Sequence, residues 1–215
     1  MNTTKMSTTK IIVDLKKLYP QAKYYLNVST PLELFVGVIL SAQCTDEVVN
    51  RVISTLFKKY KTAKDYFSVP LSELEKDISS ITFFRNKAKN IQASCRILAE
   101  KYNGKLPDMM EELIGLPGIG RKSANVILIN AFNKITGIVV DTHVIRVSFR
   151  LGWTKNKDAE KIEQDLMQII PKEHWKDITY LLKEHGKAFC KAPVPICSQC
   201  KLNSLCQKQG VEKFK

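Results

Sequence analysis

Leu116-Pro117-Gly118-Ile119-Gly120-Arg121-Lys122 runs straight into the apolar segment Ser123–Leu128. Two glycines two residues apart, followed by a continuous apolar stretch, predict a tight turn that opens directly into a helix. Glycine accepts a positive φ and lets another backbone come close. The first turn of the helix carries unpaired N–H groups and the positive end of the dipole. Such a turn holds a phosphate without any side chain. Contact of that kind ignores base identity and serves to grip a nucleic-acid backbone.

The charge agrees with that reading. Lys and Arg number 34 against 21 Asp and Glu, for a formal net charge of +13. The excess lies at both ends of the chain and around the glycine turn, so it is a surface property and not one basic tail. A surface of this kind attracts polyanions at long range and binds them in a salt-sensitive way. Turn and charge together point to nucleic acid.

Outward from the turn, segments with helical apolar spacing recur. Helices are expected over Pro31–Ser41, Glu47–Tyr60, Lys87–Tyr102, Arg121–Phe132, His143–Leu151 and Asp158–Ile170. Thr45 or Asp46 would cap the second, and Asp141 the fifth. The one possible strand is Gly137–Val140, too short to imply a sheet. The fold class is therefore all-α. The longest apolar run, Leu34–Leu40, is far below the ~20 residues a bilayer asks for, so no membrane partner is expected. Met1–Lys10 is polar and lacks a signal-peptide core.

Near the other end stand Cys190, Cys197, Cys200 and Cys206, spaced C-x6-C-x2-C-x5-C. Pro193 and Pro195 bend the stretch. In a reducing cytoplasm, clustered cysteines act as metal ligands in preference to disulfides. Four thiolates this close in sequence suit zinc or an iron–sulfur cluster. Cys44 and Cys95 stand apart and read as buried free thiols.

Taken in order, Leu40–Asp46 (LSAQCTD), Leu116–Asn125 (LPGIGRKSAN), Val140–Val147 (VDTHVIRV) and the cysteine loop after His185-Gly186 resemble the endonuclease III family of DNA glycosylases. This family belongs to the helix-hairpin-helix superfamily and carries a four-cysteine iron–sulfur loop. The likeness covers nearly the whole chain. It implies two helical domains with a DNA groove between them. A six-helix domain with the hairpin would span 25–133, and residues 1–24 with 134–215 would form the cluster domain. It also implies a [4Fe-4S] cofactor on the four cysteines, in place of the zinc that spacing alone leaves open.

The resemblance assigns roles residue by residue. Lys122 falls on the position that attacks the sugar C1′ in glycosylases with lyase activity. Read without the family, it is as well explained as a phosphate contact. A nucleophilic amine must be deprotonated, and the helix N-terminus, Arg121 and desolvation in a closed pocket would all disfavour the ammonium. Asp141 falls on the family carboxylate that stabilises positive charge developing on the sugar, a role compatible with its cap. His143 reads as a packed neighbour. Gln43 occupies the position that fills the gap left by an extruded base, and Phe83 that of a second wedge. The family more often has leucine at the latter, and two adjacent phenylalanines also suit a core. Gly118, Ile119, Gly120 and Arg121 would contact phosphate, as would Lys191 in the cysteine loop.

The activity implied is that of a bifunctional DNA glycosylase/AP lyase of base excision repair. It would remove oxidised or ring-saturated pyrimidines through a lysine Schiff base and nick the strand by β-elimination. Its partner would be double-stranded DNA with damaged pyrimidines or abasic sites. The protein would act as a monomer in the cytoplasm, on the nucleoid in a prokaryote. The alternatives are a monofunctional mismatch-type glycosylase and a non-enzymatic iron–sulfur DNA-binding module. Lys122 argues against the first, and Lys122 with Asp141 against the second.

Overall fold

The structure is a computed structural model that describes residues 3–215, with side chains from Ser7 onward. Its helices are α1 (Thr3–Leu18), α2 (Pro31–Ser41), α3 (Asp46–Lys59), α4 (Ala63–Ser68), α5 (Leu71–Asp77), α6 (Phe84–Tyr102), α7 (Met110–Ile114), α8 (Arg121–Phe132), α9 (Thr142–Leu151), α10 (Ala159–Ile169) and α11 (Trp175–Ala188). A single 3-10 turn, Lys172–His174, precedes α11. No strand occurs among the described residues. The possible strand at Gly137–Val140 is not formed. These residues are buried without strand assignment, and Thr179 Oγ1 donates to Val139 O at 2.7 Å. A helix side chain takes the place of a ladder.

The chain separates into two compact units: Tyr25–Thr136, and the stretch up to Tyr24 together with Gly137–Lys215. The first unit is built on α2. Every residue from Leu34 to Leu40 is buried, as expected of a helix that is apolar on all sides. Thr30 starts it by accepting from Glu33 N at 3.1 Å, with Pro31 at the first turn, where the missing proline N–H costs nothing. Helices α3, α6 and α8 pack on α2. Helix α6 also carries α4 and α5, and α4 opens on a capping box between Thr62 and Asp65.

The second unit packs α1 against α10 and α11, and α9 against α11. Ile11, Ile12, Leu15, Val144, Val147, Ile162, Leu166, Ile178 and Leu182 form its core, and Leu202 of the cysteine loop joins them at 0% exposure. Removing a buried leucine of this kind costs about 2–5 kcal/mol, so the loop is anchored by apolar burial as well as by its cysteines.

Candidate nucleic-acid interface and cysteine cavity

In the Tyr25–Thr136 unit, the glycine turn is pinned by its apolar residues. Leu116 and Ile119 are buried, and Ile119 N donates to Leu116 O at 3.1 Å. Gly118 and Gly120 are exposed. Gly118 has φ +85, and a Cβ there would lie 3.0 Å from the Asn90 side chain. Gly120 is the N-cap of α8, and no side chain caps that helix. The sequence thus places no acidic residue in the first turn of α8. Lys122 stands in this turn with an exposed side chain, as does Arg121.

One helix supports this arrangement. On α6, Ser94 Oγ donates to Pro117 O at 2.9 Å, and Asn90 lies under Gly118. One turn earlier, the buried Lys87 sends Nζ to Leu40 O at 2.9 Å and to Ala42 O at 2.5 Å, the carbonyls that end α2. Burial lowers the Lys87 pKa, offset in part by Cys44. A cation at this spot also meets the negative end of the α2 dipole.

Gln43 and Phe83 lie just beyond the two ends joined in this way. Both are exposed and both are left-handed, with φ 53 and φ 57. Asn103 and Asn133 share that conformation as helix C-caps, where asparagine is common. For a glutamine and a phenylalanine the conformation is costly, about 1–3 kcal/mol each. Phe83 is 61% exposed, so it is not a core residue, and neither side chain supplies apolar burial to offset its backbone.

In the second unit, Asp141 caps α9. Its Oδ1 accepts from His143 N and Val144 N, both at 2.8 Å. Two bonds on one oxygen leave the other with its lone pairs. His143 Nδ1 pairs with Arg146 NH2 at 3.1 Å. Gly186 lets this layer close, since a Cβ there would lie 2.7 Å from His143 Nδ1. Burial holds His143 below the ordinary histidine range. It is packed, with its ring engaged by Arg146.

Cys190, Cys197, Cys200 and Cys206 line one cavity. Arg150 NH1 donates to Cys190 Sγ at 3.4 Å, and Lys208 N to Cys206 Sγ at 3.3 Å. His185 Nε2 lies 3.5 Å from Cys200 Sγ, and its Nδ1 meets Tyr19 OH at 3.1 Å. Donors aimed at sulfur favour thiolates. Burial, with the neighbouring thiols adding to it, pushes the thiols of Cys197, Cys200 and Cys206 up. A bound cationic centre would relieve both effects and release protons. Among the described residues, no three His, Cys, Asp or Glu converge closely enough to hold one metal ion. Four cysteines around one cavity are a donor set suited to zinc or an iron–sulfur cluster. The loop backbone is tied to α9: Arg146 Nε donates to Cys190 O at 2.8 Å, and Arg150 NH1 to Lys191 O at 2.7 Å. The Lys191 side chain stays exposed.

Lys87, Asn90 and Ser94 were not foreseen as part of this site. The available signal was phase: Lys87 falls in the apolar stripe of α6 with Ile91 and Leu98, where a lysine is out of place.

Residues 36–172 match the model of the HhH-GPD superfamily base excision DNA repair proteins. The chain is 48% identical to endonuclease III of Synechocystis over 96% of its length and 94% of that protein. It is 50% identical to the Bacillus subtilis enzyme over 89% of the chain and 87% of that protein, and 36% identical to that of Escherichia coli over 94% and 96%. Among solved structures it resembles a trapped endonuclease III–DNA covalent intermediate, with TM-score 0.90 and 46% identity over 97% of both chains. A thermostable thymine-DNA glycosylase at 21% identity and TM-score 0.86 shares the fold. No described helix is long and apolar enough to cross a membrane. With this motif order, this fold and this degree of identity, the chain belongs to the endonuclease III family of base excision DNA repair glycosylases.

Proposed function

We propose that this chain removes oxidised or ring-saturated pyrimidines from duplex DNA and then nicks the strand, using Lys122 as nucleophile. The observation that carries the proposal is Lys122 itself: an exposed amine in the first turn of an uncapped helix, behind a glycine turn held rigid from α6. The backbone N–H groups of that turn grip phosphate. The damaged nucleotide is turned out of the stack, at a cost of a few kcal/mol that is smallest for a weakened base. Gln43 and Phe83 fill the space it leaves.

Lys122 Nζ attacks C1′. The glycosidic bond breaks, and its electron pair leaves with the base, which takes up a proton. The open oxygen of Asp141 stabilises the positive charge that grows on the sugar. Ring opening gives an imine between Nζ and C1′. Loss of a 2′ proton then expels the 3′ phosphate, and water hydrolyses the imine to free the lysine. Cys190, Cys197, Cys200 and Cys206 would hold a [4Fe-4S] cluster. When bound, it fastens the loop that presents Lys191 to phosphate. The protein acts as a monomer in the cytoplasm, on DNA.

Borohydride trapping on duplex DNA with a single oxidised pyrimidine tests this, with wild type beside Lys122→Gln. A covalent adduct in wild type alone is the expected result. Base release without an adduct would make the chain a monofunctional glycosylase with Lys122 on phosphate. Binding with neither release nor adduct, across a panel of lesions, would leave a DNA-binding module.

A further inference from the structure

Lys87 has no part in the chemistry above, yet it is a buried lysine, 6% exposed, placed between two strained and exposed residues. Its Nζ bonds Ala42 O, the carbonyl of the peptide that enters Gln43. Its backbone N–H also bonds Phe83 O at 3.2 Å, but this is the first bond of α6, which any residue at 87 would make. Left-handed backbone at non-glycine positions persists only where the surroundings over-determine it. Gln43 and Phe83 are exposed and gain little from their own side chains. The peptide that enters Gln43 is the one held by the Lys87 side chain. From this we infer that Lys87 is a positioning residue which presets Gln43 as a wedge before DNA arrives. The inference rests on the wedge role proposed above for Gln43.

The physical gain is preorganisation. A wedge that must first adopt a costly backbone on DNA would add that cost to base extrusion. Lys87 places it on the free protein. The arrangement is also rigid. Nζ reaches two of the last carbonyls of α2, the groups a helix end leaves unpaired, and a buried ammonium that lost either would be left under-bonded. Gln43 is thus tied to α6 through the Ala42 carbonyl, in addition to its own turn, in which Cys44 N donates to Ser41 O at 3.1 Å.

The test is a mutant cycle on the full cluster-loaded protein. Single-turnover excision of an oxidised pyrimidine from duplex DNA is measured together with the fluorescence of a 2-aminopurine beside the lesion, which reports unstacking. The proteins are wild type, Lys87→Met, the double variant Gln43→Ala/Phe83→Ala, and the triple variant. Lys87→Met is expected to slow both excision and the fluorescence rise by about tenfold to a hundredfold, the range for a lost pair of charged hydrogen bonds. In the background without the wedge, the same change is expected to add less than about threefold, since a residue acting through others loses its effect when they are gone. An equal loss in both backgrounds would make Lys87 a general structural residue and overturn the inference. Should Lys87→Met fail to fold, Lys87→Gln, which keeps a donor without the charge, takes its place in the same cycle. Wild-type excision by Gln43→Ala/Phe83→Ala would instead remove the wedge reading itself, an outcome distinct from additivity.

Discussion

The glycine turn of the Tyr25–Thr136 unit and the cysteine loop of the other unit both present basic groups suited to phosphate, but they are held by opposite means. The turn is finished by protein alone. Buried Leu116 and Ile119, the Ser94 bond to Pro117 and the left-handed Gly118 define it. The cysteine loop is held at its edges by Arg146, Arg150 and Leu202, while its centre is a cavity of thiols that burial keeps from ionising. The first can be as rigid in isolation as in the working enzyme. The second is suited to a guest with positive charge. A chain places a nucleophile with the first kind of support and a replaceable clamp with the second.

The largest expected effect falls on the side of the turn. Lys122→Gln should lower duplex excision by about four orders of magnitude or more, with DNA affinity within a few-fold of wild type by fluorescence anisotropy. A loss carried by affinity instead would move Lys122 to the phosphate grip. On the other side, Cys206→Ala should remove the cluster absorption and, by hydrogen exchange, deprotect residues 190–211 and the α9 and α11 amides that face them. Amides of α2 and α8 should keep their protection. Metal-held folds lose about 10 kcal/mol or more of binding energy with their ligands, so a loop that stays protected would contradict the contrast drawn here.

Asp141→Asn separates cap from chemistry. Asparagine caps a helix as well as aspartate does, so the melting temperature should hold while excision falls about a hundredfold or more, the scale of one lost electrostatic stabiliser. Gly118→Ala should cost about 1–2 kcal/mol in thermal or denaturant unfolding, because an alanine there is both left-handed and against Asn90. Gly120→Ala is the smallest: open space surrounds its Cβ and φ is −100, so a change under about 1 kcal/mol is expected in the same melts. Equal costs at the two glycines would show that the turn is not braced from α6.

Periodicity read the long helices well. Pro31–Ser41 and Arg121–Phe132 are found with those limits, and α3, α6, α9 and α10 begin or end within three residues of expectation. Helix α2 is apolar over Leu34–Leu40, and α9 and α10 open on a capping aspartate. Helix α11 was not among the segments named, although Trp175, Ile178, Leu181 and Leu182 follow helical spacing; its lysines, its two acidic residues and its histidine diluted the signal. The strand at Gly137–Val140 was read from β-branched residues, and only the lack of a neighbouring strand rules it out. For Phe83, two adjacent phenylalanines suit a core as readily as a wedge. The left-handed backbone at 83 turns one outward while Phe84 stays partly covered.

From its amino acids alone the chain specified an all-helical fold, a glycine turn leading into a helix with Lys122 at its start, a capped α9 with Asp141 at its head, and four cysteines in one loop. Those features are local: spacing, caps and positive φ act over a few residues. Tertiary structure alone decided that Lys122 is exposed and that the Lys87 side chain reaches the peptide that enters Gln43. Residues 40, 42 and 87 meet only because α6 packs on α2, and no local rule places a lysine of one helix on the last carbonyls of another.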